Sequence, residues 1–310
     1  MFNLNWILNP SEGLSLGAIF LISYILGVMH GATPDEHTWP ITFSYAIGSY
    51  STKKGMKAGL FFSSGFTAQR ALLTTLGFIG LAAFYQKYNL DGPVYIIVGI
   101  AMFVAGSYIL KGKYLHIPID RLLGGTSHHT DSSERLQPHK DIREVPLKMA
   151  TLHGLIAGFG FGAYATIITF ILAPQVPSLI YAPLPGLFFG LGTMSMQIVF
   201  GALFANIARV KKLSENDIKF VGRSTAGRTL YYGGLSFALV GLLIAAVPIL
   251  DTLSISTGSP IPNLNLVNVG FLLTVGVVGG IGLYSVIRAF KDISKMKASQ
   301  PLSSDQLGVR

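Results

Sequence analysis

Hydrophobic positions in this chain fall in long, nearly unbroken blocks rather than in alternating or amphipathic patterns. Apolar runs occupy about 14–30, 39–50, 58–84, 93–110, 149–174, 185–208, 230–250 and 266–289. A helix crossing the hydrocarbon core of a bilayer needs roughly 20 such residues, and most of these runs suffice. The run 39–50 does not, because twelve residues of helix rise only about 18 Å. We therefore expect an all-α, polytopic membrane bundle of about seven crossings. Six clean ones begin at 58, and one broken N-terminal crossing is assembled from 14–30 and 39–50. Two separate N-terminal helices, giving eight crossings, are the alternative.

The polar connections alternate in kind. Those at 51–57, 111–148, 209–229 and 290–310 are basic, whereas those at 85–92, 175–184 and 251–265 hold almost no positive charge, Arg70 and Lys87 standing apart. Positive loops stay on the cytoplasmic side. The expected location is the cell membrane, multi-pass, with the C-terminus cytoplasmic and the N-terminus outside. The chain is a single transmembrane domain, 1–310, with a flexible His-containing cytoplasmic loop at 111–148 and a cytoplasmic tail at 290–310. No internal repeat stands out.

Composition agrees with this picture. Half the residues are hydrophobic, 12% are charged and mean hydropathy is +0.54, against about 25% charged in a soluble domain. The formal charge of +9 follows from loop placement and needs no nucleic-acid partner. Absence of cysteine excludes disulfides, thiol redox chemistry and thiolate metal sites. The N-terminal stretch before 14 has no Lys or Arg, so it lacks the basic region of a signal peptide. The chain contains no Walker A motif, hence no ATPase domain, and no H-E-x-x-H.

One stretch breaks the apolar pattern. "GVMHGATPDEHTWP", 27–40, sets His30, Asp35, Glu36 and His37 between two apolar runs. Ionisable groups at membrane depth cost roughly 2.5–3.5 kcal/mol each on insertion scales, so four together need a compensating role. Pro34 opposes a continuous helix, and broken helices near the midplane are how many transporters build ion sites. Imidazole with carboxylate suits nickel, cobalt, zinc or iron. A wet external loop without function is the competing reading.

"HGATPDEH" resembles the H-x4-D-H signature of the nickel/cobalt transporter family, with Glu36 as one extra residue. The resemblance implies a metal site in a transmembrane helix, with His30, Asp35 and His37 at the family's ligand positions. "GLFFSSGFTAQR" (59–70), "GLIAGFGFGAYATI" (154–167) and "LPGLFFGLGTMSMQIVFG" (184–201) are similar to later family signatures in their glycines and aromatics. The family's polar residues there fall on Phe66, on Gly162 and Thr166, and on Gln197 and Phe200. The likeness implies a shared scaffold more than a shared substrate.

Further candidates line the interior. Arg70, about 18 Å into its helix by helical rise, is placed to pair with Asp35 or Glu36. Gln69, His153, Tyr164, Thr166 and Gln197 are polar groups that would line or gate a path. His128, His129 and His139, with Asp131, sit in the 111–148 loop and suit a solvated linker better than a metal trap. The expected function is a secondary transporter (permease) for a small inorganic ion, chiefly a divalent transition-metal cation such as nickel or cobalt. No prosthetic group is expected, and the lipid bilayer is the standing partner. Glu36 offers a base for the alternative, an intramembrane metal-dependent enzyme. A different substrate on the same scaffold is a further alternative. A retinal-type receptor is disfavoured, since the last apolar run has no lysine.

Overall fold

The computed structural model describes residues 4–81, 84, 87–88, 90–110, 145–209 and 213–298. Its helices are α1 (Leu4–Leu8), α2 (Leu16–Ala32), α3 (Trp39–Ser49), α4 (Thr52–Phe78), α5 (Asp91–Ile109), α6 (Leu147–Ala157), α7 (Ala163–Gln175), α8 (Leu184–Ile207), α9 (Glu215–Ala246), α10 (Ile249–Thr252) and α11 (Val269–Ala298). A two-stranded antiparallel hairpin, β1 (Ser254–Ser256) and β2 (Leu266–Asn268), pairs Ile255 with Val267. Apart from this hairpin the described fold is helical, as the apolar runs predict. The expected tail at 290–310 begins as helix, since α11 continues to Ala298. The His128, His129, His139 and Asp131 group lies outside the described residues.

Among the described residues, four helices are long and apolar enough to cross a membrane: α5, α8, α9 and α11. α4 has the length but carries Lys53, Lys54, Lys57 and Arg70. Large apolar side chains such as Ile97, Leu203, Leu239, Leu242 and Leu272 point outward from these helices. That arrangement matches a lipid solvent rather than water.

The broken N-terminal run is present as α2 and α3. Ser15 caps α2 through its hydroxyl, which accepts from the Ala18 N–H. Thr33 then takes the extended conformation that a following proline demands, and Pro40 sits in the first turn of α3. The run 149–174, expected as one clean crossing, is also broken. α6 stops at Ala157, and the glycine-rich residues 158–162 precede α7. Three glycines in "GFGFG" favour irregular backbone over helix.

Glycine contacts reveal an internal repeat that the sequence did not announce. Gly27 of α2 lies against the Phe189 carbonyl of α8, and Gly154 of α6 lies against the Phe62 carbonyl of α4. Gly192 meets the Tyr24 carbonyl as Gly65 meets that of Thr151; Gly31 meets Met196 as Gly158 meets Gln69. Every pair repeats at one constant offset along the chain (27 to 154, 62 to 189, 65 to 192). α5 and α9 show matching glycines at 92, 99, 106 and 227, 234, 241, eight residues further apart than the other pairs (227 − 92 = 135 against 154 − 27 = 127), and Gly99 and Gly234 face each other's carbonyls. The described chain thus holds two copies of a unit made of a broken helix and two long helices. The copies pack through paired glycine faces that let backbones approach closely. α11 stands outside the repeat and is tied to α9 by Arg228–Asp292 (2.7 Å) and Lys297–Asp217 (2.8 Å).

Candidate functional site

Both breaks meet in the interior. After α2 ends, Asp35, Glu36 and His37 form a turn, with the His37 N–H donating to Asp35 Oδ1 at 3.0 Å. These three side chains bring one ligand atom each within 4.8 Å of one another, and Asp35 and His37 are buried. His30, on the last turn of α2, places Nδ1 3.7 Å from Asp35 Oδ2. Its Nε2 is buried without a hydrogen-bond partner. The four residues singled out in the sequence are thus assembled at one place, three as a tight cluster and His30 behind Asp35.

Surrounding groups fix their orientation. Tyr95 of α5 donates its hydroxyl to Glu36 Oε1 at 3.0 Å and stacks on the His37 ring at 5.3 Å. His37 Nδ1 lies 3.3 Å from Glu36 Oε1. Asn263 reaches in from the hairpin and donates to Thr33 Oγ1 at 3.3 Å and to Asp35 Oδ2 at 3.5 Å. Two glycines make room. A Cβ at Gly160, in the second break, would collide with the His37 imidazole, and a Cβ at Gly270 would stand 2.5 Å from the Glu36 carboxyl carbon. His30 is walled by Phe66, Tyr164 and Phe189, whose ring centroids lie 5.2–5.7 Å away.

The cluster opens into a cavity of about 240 Å³ lined by Asp35, Glu36, His37, Asp91, Asp251 and Asn263 among others. Among the described residues that lining carries no Lys or Arg. Tyr95, Asp91, Asp251, Asn263, Gly160 and Gly270 were not singled out from the sequence. For Asp91 and Asp251 a signal existed, since each is a lone carboxylate at the edge of an apolar run. Asn263 lies in "PNLNLVN", whose three asparagines are unusual in a loop between apolar blocks.

Burial and the neighbouring Asp91 carboxylate push Asp251 up to about 6, from an ordinary 3.8. An acid whose folded value is raised binds extra protons in the folded state, so its penalty grows as pH rises between those two values. Asp251→Asn should therefore raise the unfolding midpoint in detergent at pH 7.5 and leave it unchanged at pH 3.5. Thermal scans at the two pH values read the difference, and equal shifts at both would refute it.

The remaining candidates divide. Arg70, almost fully buried, donates from Nη2 to the Gly160 carbonyl at 2.8 Å, and its guanidinium lies over Phe66 at 4.7 Å. Arg70 thus braces the second break, within electrostatic reach of His30 and Asp35. Gln69 is buried against Gly158 and neither end of its amide has a hydrogen-bond partner. Gln197 Nε2 donates to the Gly31 carbonyl at 3.4 Å, beside the first break. Tyr164 donates to the Pro262 carbonyl at 3.2 Å. Thr166 is turned back onto its own helix, donating to the Gly162 carbonyl at 3.1 Å, and does not join the cluster. His153 is elsewhere too: its Nδ1 is 2.7 Å from the Tyr45 hydroxyl.

No family model, curated protein or solved structure matches this chain. The likeness of "HGATPDEH" to the nickel/cobalt signature therefore rests on its residues alone.

Proposed function

We propose that the protein is a secondary membrane transporter for a divalent transition-metal cation, nickel or cobalt first, bound by Asp35, Glu36 and His37. The observation that carries this reading is the buried convergence of two carboxylates and an imidazole at a break between helices. Nitrogen and oxygen donors without sulfur suit nickel, cobalt and zinc. The outer hydrogen bonds from Tyr95 and Asn263 are of the kind that orient metal ligands. Two carboxylates on a divalent ion balance its charge, which favours a cation over an anionic cargo.

Seven crossings follow if each broken pair counts as one: α2 with α3, α4, α5, α6 with α7, α8, α9 and α11. In support, α2 and α3 together track α8 in one direction, with Gly27 beside Phe189, Trp39 beside Phe200 and Phe43 beside Phe204. Loop charges put the basic end in the cytoplasm, the N-terminus outside and the acidic cavity on the outer face. Odd helix counts per repeat give the two copies opposite orientations, the arrangement many transporters use around a central site. Ligating groups must be deprotonated, so binding releases protons and offers a coupling to a proton gradient.

Calorimetric titration of the purified protein with nickel and with cobalt tests the reading. One site per chain is expected, weakened at least tenfold in Asp35→Asn. Failure of wild type to bind nickel, cobalt or zinc would overturn it.

A further inference from the structure

A second cavity lies at the far end of the same helices. It measures about 700 Å³ and is lined by Ser49, Tyr50, Tyr108 and Lys148 together with Lys54, Lys57 and Arg223. Three helices connect it to the acidic cavity. α3 with the turn before it runs from His37 to Ser49, α5 from Asp91 to Tyr108, and α6 with the second break from Lys148 to Phe161. The eleven residues of α3 bridge the two spaces over about 16 Å.

α3 carries a polar stripe along that span. Thr38, which caps the helix, Thr42, Tyr45 and Ser49 recur at the four-three-four spacing that puts side chains on one helical face. All four are buried. Ser49 returns its hydroxyl to the Tyr45 carbonyl at 2.8 Å. Thr42 Oγ1 is buried and has no hydrogen-bond partner, an unfavourable state for a hydroxyl that nothing polar visits. One turn further on, Tyr45 meets His153 of α6, and Ser49 lines the second cavity. The stripe thus begins directly after the cluster and ends at the basic cavity.

The two cavities are also of opposite charge. Among the described residues, the first is lined by acids without Lys or Arg, the second by Lys54, Lys57, Lys148 and Arg223 without Asp or Glu. Like-signed linings raise or lower the local concentration of an ion before any contact forms. A cation is concentrated at the first and depleted at the second.

We propose that the cation travels along the α3 stripe between α3 and α6, past the Tyr45–His153 pair, and that this charge polarity makes the route one of uptake. Cation loads from the acidic cavity and is released into the basic one, where repulsion opposes rebinding. The proposal rests on the transporter reading above.

The chain has no native cysteine, so single cysteines can be placed in it directly. In membranes, Thr42→Cys and Ser49→Cys should react with a small cationic methanethiosulfonate, while Ala46→Cys, on another face of α3, should not. Nickel should slow Thr42→Cys labelling at least fivefold, and Tyr45→Phe should speed it. Cells expressing the protein should accumulate more nickel than cells without it. Inert Thr42→Cys in a variant that still binds nickel would refute the route and leave the transporter reading standing. Nickel depletion of the cells would refute the direction. No nickel binding by wild type would remove both.

Discussion

His37→Ala is expected to weaken nickel binding by roughly 100-fold or more, and to abolish nickel-dependent transport at micromolar metal. Three ligand atoms within 4.8 Å of one another come from Asp35, Glu36 and His37, and His37 supplies the nitrogen among them. Without it, two carboxylates remain, a donor set that suits magnesium or calcium better than nickel. Loss of a hydrogen-bonding partner behind a ligand costs about 10–100-fold in affinity, so loss of a ligand should exceed that. Tyr95→Phe supplies the comparison. It keeps the ring stacked on His37 but deletes the 3.0 Å hydrogen bond to Glu36, and a loss of about 10-fold is expected. Titration of the three proteins at one pH gives the ladder. Equal affinities for wild type and His37→Ala would exclude the cluster as the metal site.

The second large effect concerns assembly. Gly27→Ala and Gly154→Ala should each destabilise the protein by about 2–3 kcal/mol, the upper part of the usual overpacking range. At both positions a Cβ would run into a backbone carbonyl, Phe189 in one copy of the repeat and Phe62 in the other. A backbone oxygen inside a packed helix cannot swing away as a side-chain tip can, so α2 must part from α8, or α6 from α4. Gly17 sits in the same helix as Gly27 with nothing within 4 Å of its Cβ position. Gly17→Ala should therefore be neutral or slightly stabilising, as alanine is the better helix former. Thermal unfolding in detergent, monitored by size-exclusion recovery, separates the three variants. If Gly27→Ala and Gly17→Ala behave alike, the glycine faces do not hold the two copies together.

The parts of the site visible in the sequence were those confined to one short segment. His30, Asp35, Glu36 and His37 stand within eight positions, and Pro34 among them announces the break. Asp91, Tyr95, Asp251 and Asn263 are equally part of the cavity, yet each comes from a distant segment and looks ordinary in its own surroundings. His153 stood out in the sequence as a polar group that would line or gate a path. Its partner turned out to be Tyr45, which no local pattern could have named.

The sequence by itself determined the membrane character, the positions of most helices and the first break. These depend on local hydrophobicity and proline chemistry, both properties of contiguous residues. Tertiary structure decided how the two breaks meet, the two-copy architecture, the company kept by Asp35 through His37, and the presence of cavities at both ends of α3. Those features depend on which glycine faces meet across the bundle. A glycine looks the same in the sequence whether its open side meets lipid, as a free position, or the carbonyl of another helix.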